Sequence, residues 1–313
     1  MKRDKIGVTS GFDPGLHRFA VLLAVCIFGL IVAGATVTSE DAGLSVPDWP
    51  TSFGSIYKIP PMVGGVKFEH THRMIAELVG LLTILFCIAT FRSDKRKWLQ
   101  KLSLAAIAMV IAQGILGGIT VLHFLPWYVS SAHAALGQTF FSIVVLMALY
   151  TGRSWTISAT PLIVESATLS TRMLTILCIA ILYIQLFFGA AFRHSGIGIA
   201  AHLLNALLTV GLVAWTTIRV LSRYGQVDSL RRPAATMTAL LFVQLGLGFV
   251  AYLTRVVWGK DAVQPLFAMV FSTVAHVAVG ALLLATAFVM EEQIGRIVVS
   301  GRDRVGAREL SAV

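Results

Sequence analysis

Residues 19–37 read FAVLLAVCIFGLIVAGATV, a run with no charged side chain. About 20 apolar residues carry an α-helix across a bilayer, so this run is long enough to span. The basic stretch from Met1 to Lys5 before it, and Ala33-Gly34-Ala35 near its end, have the form of a cleaved leader. The length of the run favours a retained first helix instead. Seven further stretches repeat the pattern, and the eight expected spans centre near Ile27, Leu82, Met109, Ile143, Ala180, Val210, Leu245 and Val279.

The whole chain agrees with that reading. Its 313 residues are 57% hydrophobic and 13% charged, against about 25% charged in a soluble domain, and the mean hydropathy is +0.82. A soluble enzyme of this size could not hide so much apolar surface, and a disordered chain would not carry it. No alternating ten-residue pattern marks an outer-membrane barrel. Spanning helices satisfy every backbone group internally, so the expected fold is an all-α polytopic membrane protein.

The net charge of +10 would suggest nucleic acid on a soluble protein. Here basic residues crowd one side of the membrane, and no nucleic-acid partner is expected. With the N-terminus inside, nineteen of the 25 Lys and Arg residues fall on inner segments, among them Lys2, Arg3, Lys5, Arg96, Arg302, Arg304 and Arg308. Six fall outside: Lys58, Lys67, Arg73, Arg193, Arg255 and Lys260. Positive residues stay on the cytoplasmic side, so both termini are expected there, in the inner (plasma) membrane of the cell. The longest outer segment, about 38–69, contains Pro47-Asp48-Trp49-Pro50 and Pro60-Pro61 and reads as a structured loop. Cys26, Cys87 and Cys178 lie in apolar runs and read as buried small hydrophobes.

The two halves of the chain resemble each other. Gly34-Ala35-Thr36 ends span 1 and Gly189-Ala190-Ala191 ends span 5; His72 opens span 2 and His202 opens span 6. Gln113 to Gly117 in span 3 matches Gln244 to Gly248 in span 7. His133, followed by Gly137, matches His276, followed by Gly280. From His72 to Gln113 is 41 residues and from His202 to Gln244 is 42. The other intervals differ only by insertions in outer loops. The expectation is two repeat-related four-helix bundles, residues 1–155 and 156–313, related by an axis along the membrane normal.

Histidine inside a span is costly unless paired or ligating. His72, His133, His202 and His276 all sit early in spans that run from outside to inside, so they share a depth near the outer face. His72 with His133, and His202 with His276, can each supply the two imidazoles that six-coordinate haem iron takes. Gly114, Gly117, Gly118, Gly246 and Gly248 would let a flat ring approach the backbone, or would serve close helix packing. Glu69 precedes His72 by three residues, on the same helix face, whereas its counterpart is Ile199. A partly desolvated carboxyl gains proton affinity and suits acid–base work near neutral pH; the alternative is a carboxylate that satisfies free amides at the helix start. Arg73, Arg193, Arg255 and Lys260 are candidates for charge-assisted bonds to haem propionates or for interfacial snorkelling. Glu77 suits either an inner polar path or a bond to a neighbouring helix. Asp48 and Trp49 are placed to close the first cleft.

These residues resemble the haem A synthase family. The resemblance rests on Gly43-Leu44-Ser45-Val46-Pro47-Asp48-Trp49-Pro50, Glu69-His70-Thr71-His72-Arg73, His202-Leu203-Leu204-Asn205-Ala206, and the histidines of spans 4 and 8, and is read from about Leu16 to Val289. It implies an oxidoreductase that converts the C8 methyl of haem O to a formyl group, giving haem A for terminal oxidases. It implies Glu69 as the catalytic carboxylate and His72 and His133 as the residues flanking substrate haem O. His202 and His276 would ligate a resident haem b that passes electrons on. A haem O synthase and an electron acceptor are the partners implied. Many bacterial members carry a cysteine pair in the first outer loop, and this chain has none between Thr38 and Glu69. A di-haem b-type electron carrier is the alternative function, and a haem transporter a third. The inequality of Glu69 and Ile199 argues against two equivalent sites.

Overall fold

The computed structural model describes residues 11–56, 58–157 and 162–300. Lys2, Arg3, Lys5, Arg302, Arg304 and Arg308 lie outside them. The elements in order are α1 (Pro14–Ser39), α2 (Val66–Ser93), α3 (Lys97–Leu122), α4 (Trp127–Thr151), the short α5 (Arg153–Thr156), strand β1 (Ile163–Glu165), α6 (Thr171–Arg193), α7 (Ile199–Tyr224), α8 (Asp228–Tyr252), a π-helical turn (Leu253–Trp258), α9 (Phe267–Ile297) and strand β2 (Val298–Ser300). Eight of these helices are long and apolar enough to cross a membrane. Each contains one expected centre, and the chain is a multi-pass protein of the cell membrane.

Local chemistry sets the helix ends. Asp13 caps α1 by accepting from the Gly15 and Leu16 amides, with Pro14 at the first helical position. Within the helices, hydroxyls such as Thr83, Thr90 and Ser142 bond the carbonyl four residues back, so each of these hydroxyls is satisfied by its own helix.

Helices α1 to α4 pack in a closed circuit of neighbours, and α6 to α9 form another. Helix α9 joins them. It touches α1 and α4 on one side and α6 and α8 on the other. Its Ala281 and Ala285 belong to the apolar cluster of Leu23, Phe86, Phe141 and Met147. Its Leu284, Met290 and Ile294 belong to the cluster of Cys178, Val213, Leu230 and Met237. With no hydrophobic drive between helices in lipid, such close packing and interhelical polar contacts hold the helices together.

The structure adds a feature outside the all-α expectation. Strands β1 and β2 pair in parallel, three residues each, Ile163 against Val298 and Glu165 against Ser300. This clasp ties the segment between α5 and α6 to the end of α9. Glu165 is buried and accepts from the Thr171 amide (2.7 Å) and hydroxyl (2.6 Å), and its carboxylate also meets Arg219 (3.1 Å) and Arg223 (3.5 Å). Burial alone would raise its pKa, but the Thr171 hydrogen bonds and the Arg219 charge hold it below the usual carboxylate range. At the same end, Arg96 is not a lipid-facing cation. It grips Asp94 at 2.6 Å and donates to the Tyr150 carbonyl, fastening the α2–α3 turn to α4. Arg92, Lys95 and Lys97 remain exposed.

Removing one partner of a buried, hydrogen-bonded pair strands the other. Glu165→Ala should therefore destabilise the folded protein by about 3 kcal/mol. Asp228→Ala, which breaks exposed pairs to Arg231 and Arg232, should leave the midpoint unchanged. Denaturant titration in detergent micelles measures both.

Candidate functional site

The four inward histidines occupy matching seats. His72 (α2) lies against Gly34 of α1, His133 (α4) against Gly117 of α3, His202 (α7) against Gly189 of α6, and His276 (α9) against Gly248 of α8. A methyl group at Gly34, Gly189 or Gly248 would lie 2.9 Å from the ring's Cε1, and one at Gly117 would lie 3.4 Å away. Only glycine leaves room for an imidazole edge flush with the neighbouring backbone. Of the glycines singled out from sequence, Gly117 and Gly248 seat imidazoles. Gly118 seats the Trp49 indole, whereas Gly114 and Gly246 touch nothing.

The carbonyl one turn before each glycine faces the same ring. Nδ1 of His202 donates to the Gln185 carbonyl and Nδ1 of His276 to the Gln244 carbonyl, both at 3.2 Å. Such a bond fixes the tautomer and puts the lone pair on Nε2, which in this structure faces a glutamine amide, Gln185 at His202 and Gln244 at His276, each at 3.3 Å. At the other pair, the Leu30 and Gln113 carbonyls face the rings without closing a hydrogen bond. Nδ1 of His72 and of His133 are buried and unpartnered. Three of the four seats also carry a glutamine. Gln113 and Gln185 donate to the His133 and His202 carbonyls at 3.0 and 3.1 Å. The Gln244 amide lies 3.3 Å from Nε2 of His276, and Leu30 takes the fourth place. Gln185, which accepts from Asn205 at 2.7 Å, is a site residue that sequence reading passed over. The spacing of glutamine four residues before glycine, shared by Gln113, Gln185 and Gln244, was the available signal.

His202 and His276 face each other with ring centres 6.2 Å apart and planes at 79°. Two metal–imidazole bonds of about 2 Å, with about 1 Å from each nitrogen to its ring centre, add to about 6 Å. That separation leaves room for one metal ion between the rings. His72 and His133 lie within electrostatic range of each other.

A loop is latched to the outer end of α2 beside His72. Glu69, in the first turn of α2, is buried. One carboxylate oxygen accepts from the Val46 amide at 2.8 Å, and the other meets Arg73 at 2.6 Å. Arg73 also donates to the carbonyls of Val46 (2.9 Å), Asp48 (2.7 Å) and Thr51 (3.0 Å). Its donors are committed to this loop, so it is a loop anchor and neither a free cation nor a snorkelling one. Glu69 departs from the helix-start alternative in the same way, because the amide it satisfies belongs to the loop. Asp48 accepts from the Thr51 hydroxyl and the Phe53 and Gly54 amides. Burial pushes its pKa up, but these hydrogen bonds outweigh it and hold the carboxyl at about 2. Trp49 reaches across to α3, its indole against Gly118, next to the His133 seat.

The remaining candidates separate clearly. His70 bonds Ser52 of the loop at 3.1 Å, and His123 is exposed at the end of α3. Nδ1 of His17 donates to the Ala148 carbonyl and joins α1 to α4. His194 is half-buried; burial first, then Arg193 and His133 nearby, lower its pKa to about 4. Glu77 is exposed on α2 and forms neither of the arrangements expected of it.

Fold and site together define a multi-pass membrane protein with two histidine pairs between its helices, one of them with room for a metal ion between its rings. Residues 66–201 match the family model of COX15-CtaA, the cytochrome oxidase assembly proteins. The chain is similar to proteins named heme A synthase in Shouchella clausii (30% identical over 135 residues, 42% of this chain and 44% of that protein) and Alkalihalophilus pseudofirmus (26% over 136 residues, 43% and 46%). It is also similar to the one in Shewanella oneidensis (30% over 142 residues, 39% and 41%). The chain spans less than half the length of these relatives. The matches support the haem A synthase family. The family match is narrower than the resemblance read above: it holds Glu69, His72 and His133 and stops one residue before His202.

Arg73→Gln should release the loop, seen as faster trypsin cleavage at the exposed Lys58 and faster exchange of the Val46 amide. Asp48→Ala should do the same more weakly. The Asp48 carboxyl is held below its unfolded value of about 3.9, so its contribution is fully present above that pH and is lost as pH falls toward about 2. Wild-type loop protection should be flat from about pH 8 to pH 5 and decline only below it; decline nearer neutrality would assign the loop's stability to another group.

Proposed function

We propose that the chain is a haem A synthase, oxidising the C8 methyl of haem O to a formyl group. One observation carries the reading: two histidine pairs sit in matching glycine seats, yet only His72 has a buried carboxylate one turn before it, latched to a loop, where His202 has Ile199. Equal sites would suit a di-haem electron carrier; unequal sites suit one that retains a cofactor and one that works on a substrate.

In this reading residues 1–155 form the substrate half and residues 156–313 the cofactor half. His202 and His276 hold haem b, which accepts electrons one at a time when bound. Their fit is that of the donor set and its spacing: neutral imidazoles with Nδ1 tied to a carbonyl. His72 and His133 flank haem O, and their unpartnered Nδ1 atoms leave those rings freer to adjust as substrate enters and product leaves. Glu69 supplies the carboxylate beside this pair and takes protons given up by the methyl. Arg73 holds that carboxylate in place and fastens the loop to it, and Trp49 packs on the α3 side; the formyl oxygen comes from water or dioxygen, and the four electrons released go to the acceptor. An electron acceptor and a haem O synthase complete the set of partners.

Extracting haem from cells that make this chain with a haem O source tests the reaction. Formyl-bearing haem A, absent without the chain, is the expected product. Haem B and haem O alone, with a low-spin bis-histidine spectrum on the purified protein, would favour the electron carrier. Glu69→Gln should retain bound haem and abolish product, and His276→Ala should lose the low-spin haem b spectrum. Gly248→Ala, which crowds the His276 ring, should weaken haem b binding by about tenfold or more, whereas Gly246→Ala should leave it unchanged.

A further inference from the structure

The outer basic residues do not share one fate. Arg73 is committed to Glu69 and three carbonyls. Lys260 is exposed beside Asp261. Arg193 and Arg255 remain. Arg193, the last residue of α6, is half-buried and donates from Nη2 to the Ala35 carbonyl (3.0 Å) and to the Ser39 hydroxyl. Arg255 projects from the π-helical turn and is also half-buried. Its one side-chain contact is with the Met269 sulfur at 3.9 Å, a weak acceptor. Among the described residues neither makes an ion pair. The two guanidiniums repel each other, with exposed Asp41 the one carboxylate in range of Arg193, and Arg193 also acts on His276. Two like charges, half-buried and in no ion pair among the described residues, stand beside the second histidine pair. That arrangement is costly unless an anion joins it.

We infer that Arg193 and Arg255 form a carboxylate clamp, binding the two propionates of the tetrapyrrole held by His202 and His276. The inference rests on the haem reading above and extends it. Planar guanidiniums suit carboxylates, and the bonds are charge-assisted. By the register that aligns Gly189 with Gly34 and Gly248 with Gly117, the counterparts of these arginines are Thr38 and Phe124. Thr38 spends its hydroxyl on the Gly34 carbonyl, and Phe124 is exposed. The first pair therefore lacks the clamp. A site that must release its product has a latched loop and no fixed anchor, whereas the site that keeps its cofactor has the anchor.

The test compares iron protoporphyrin IX with its dimethyl ester. Both are titrated into the haem-free chain carrying His72→Ala, which removes one ligand of the first pair, and the low-spin optical spectrum is followed. The ratio of the two affinities is then compared with that of the same chain carrying Arg193→Gln and Arg255→Gln, so that partition into detergent cancels. The free acid should be favoured by about tenfold or more over the ester, relative to the variant, while ester affinity stays unchanged. Arg255→Gln alone, which gives up only a thioether contact, should lose part of the preference without disturbing the fold. An unchanged ratio in both variants overturns the clamp. Failure of the unmodified chain to bind either compound would overturn the haem reading itself.

Discussion

An imidazole placed among lipid-spanning helices needs a partner for Nδ1 and a surface against which its ring is held. In this protein each neighbouring helix supplies both from one turn: a glycine that admits the ring edge and, four residues earlier, a carbonyl that faces Nδ1. Much else depends on this seat. It draws α1 to α2, α3 to α4, α6 to α7 and α8 to α9 at close range, and it sets the depth of all four rings. At His202 and His276 the closed hydrogen bonds make the ring a fixed donor. At His72 and His133 the same seat is present with the bond unmade, so the ring position is set more by packing than by a tether.

The second constraint is the buried pair of Glu69 and Arg73. A lone carboxylate there would be expensive; with Arg73 and the Val46 amide it is satisfied, and the loop from Val46 to Thr51 becomes part of α2's outer end. A loop without a cysteine pair is held by this polar latch and by Trp49 against Gly118. A change at position 69 therefore acts on the loop as well as on the carboxylate, and so does a change at Arg73.

The seam between the helix sets carries a third theme. Ser39 of α1 bonds Thr273 of α9 at 3.0 Å and also receives Arg193 of α6. The end of α6 thus lies between the two histidine pairs, with Arg193 acting on His276 and the adjacent His194 on the side of His133. At the opposite end, the β1–β2 clasp and Glu165 with its arginines tie the segment before α6 to α7 and to the end of α9. Both ends of α9 are pinned by polar contacts, and its middle is pinned by apolar packing.

The sequence by itself determined the number and places of the spans, because hydrophobic length is a local property that bilayer thickness reads directly. It also singled out the four histidines and Glu69, since polar groups inside apolar runs stand out against their neighbours. Only the tertiary structure decided what those groups touch. That Arg73 anchors a loop while Arg193 and Arg255 enter no ion pair among the described residues depends on how residues far apart in the chain converge, and all three look alike as basic residues at helix ends. The three-residue strands were too short to carry a periodic signal. Gln185 gained its meaning only when α6 met α7. Hydrophobic pattern specifies which segments enter the membrane; the partners of each buried polar group are set by packing, which the linear chain does not display.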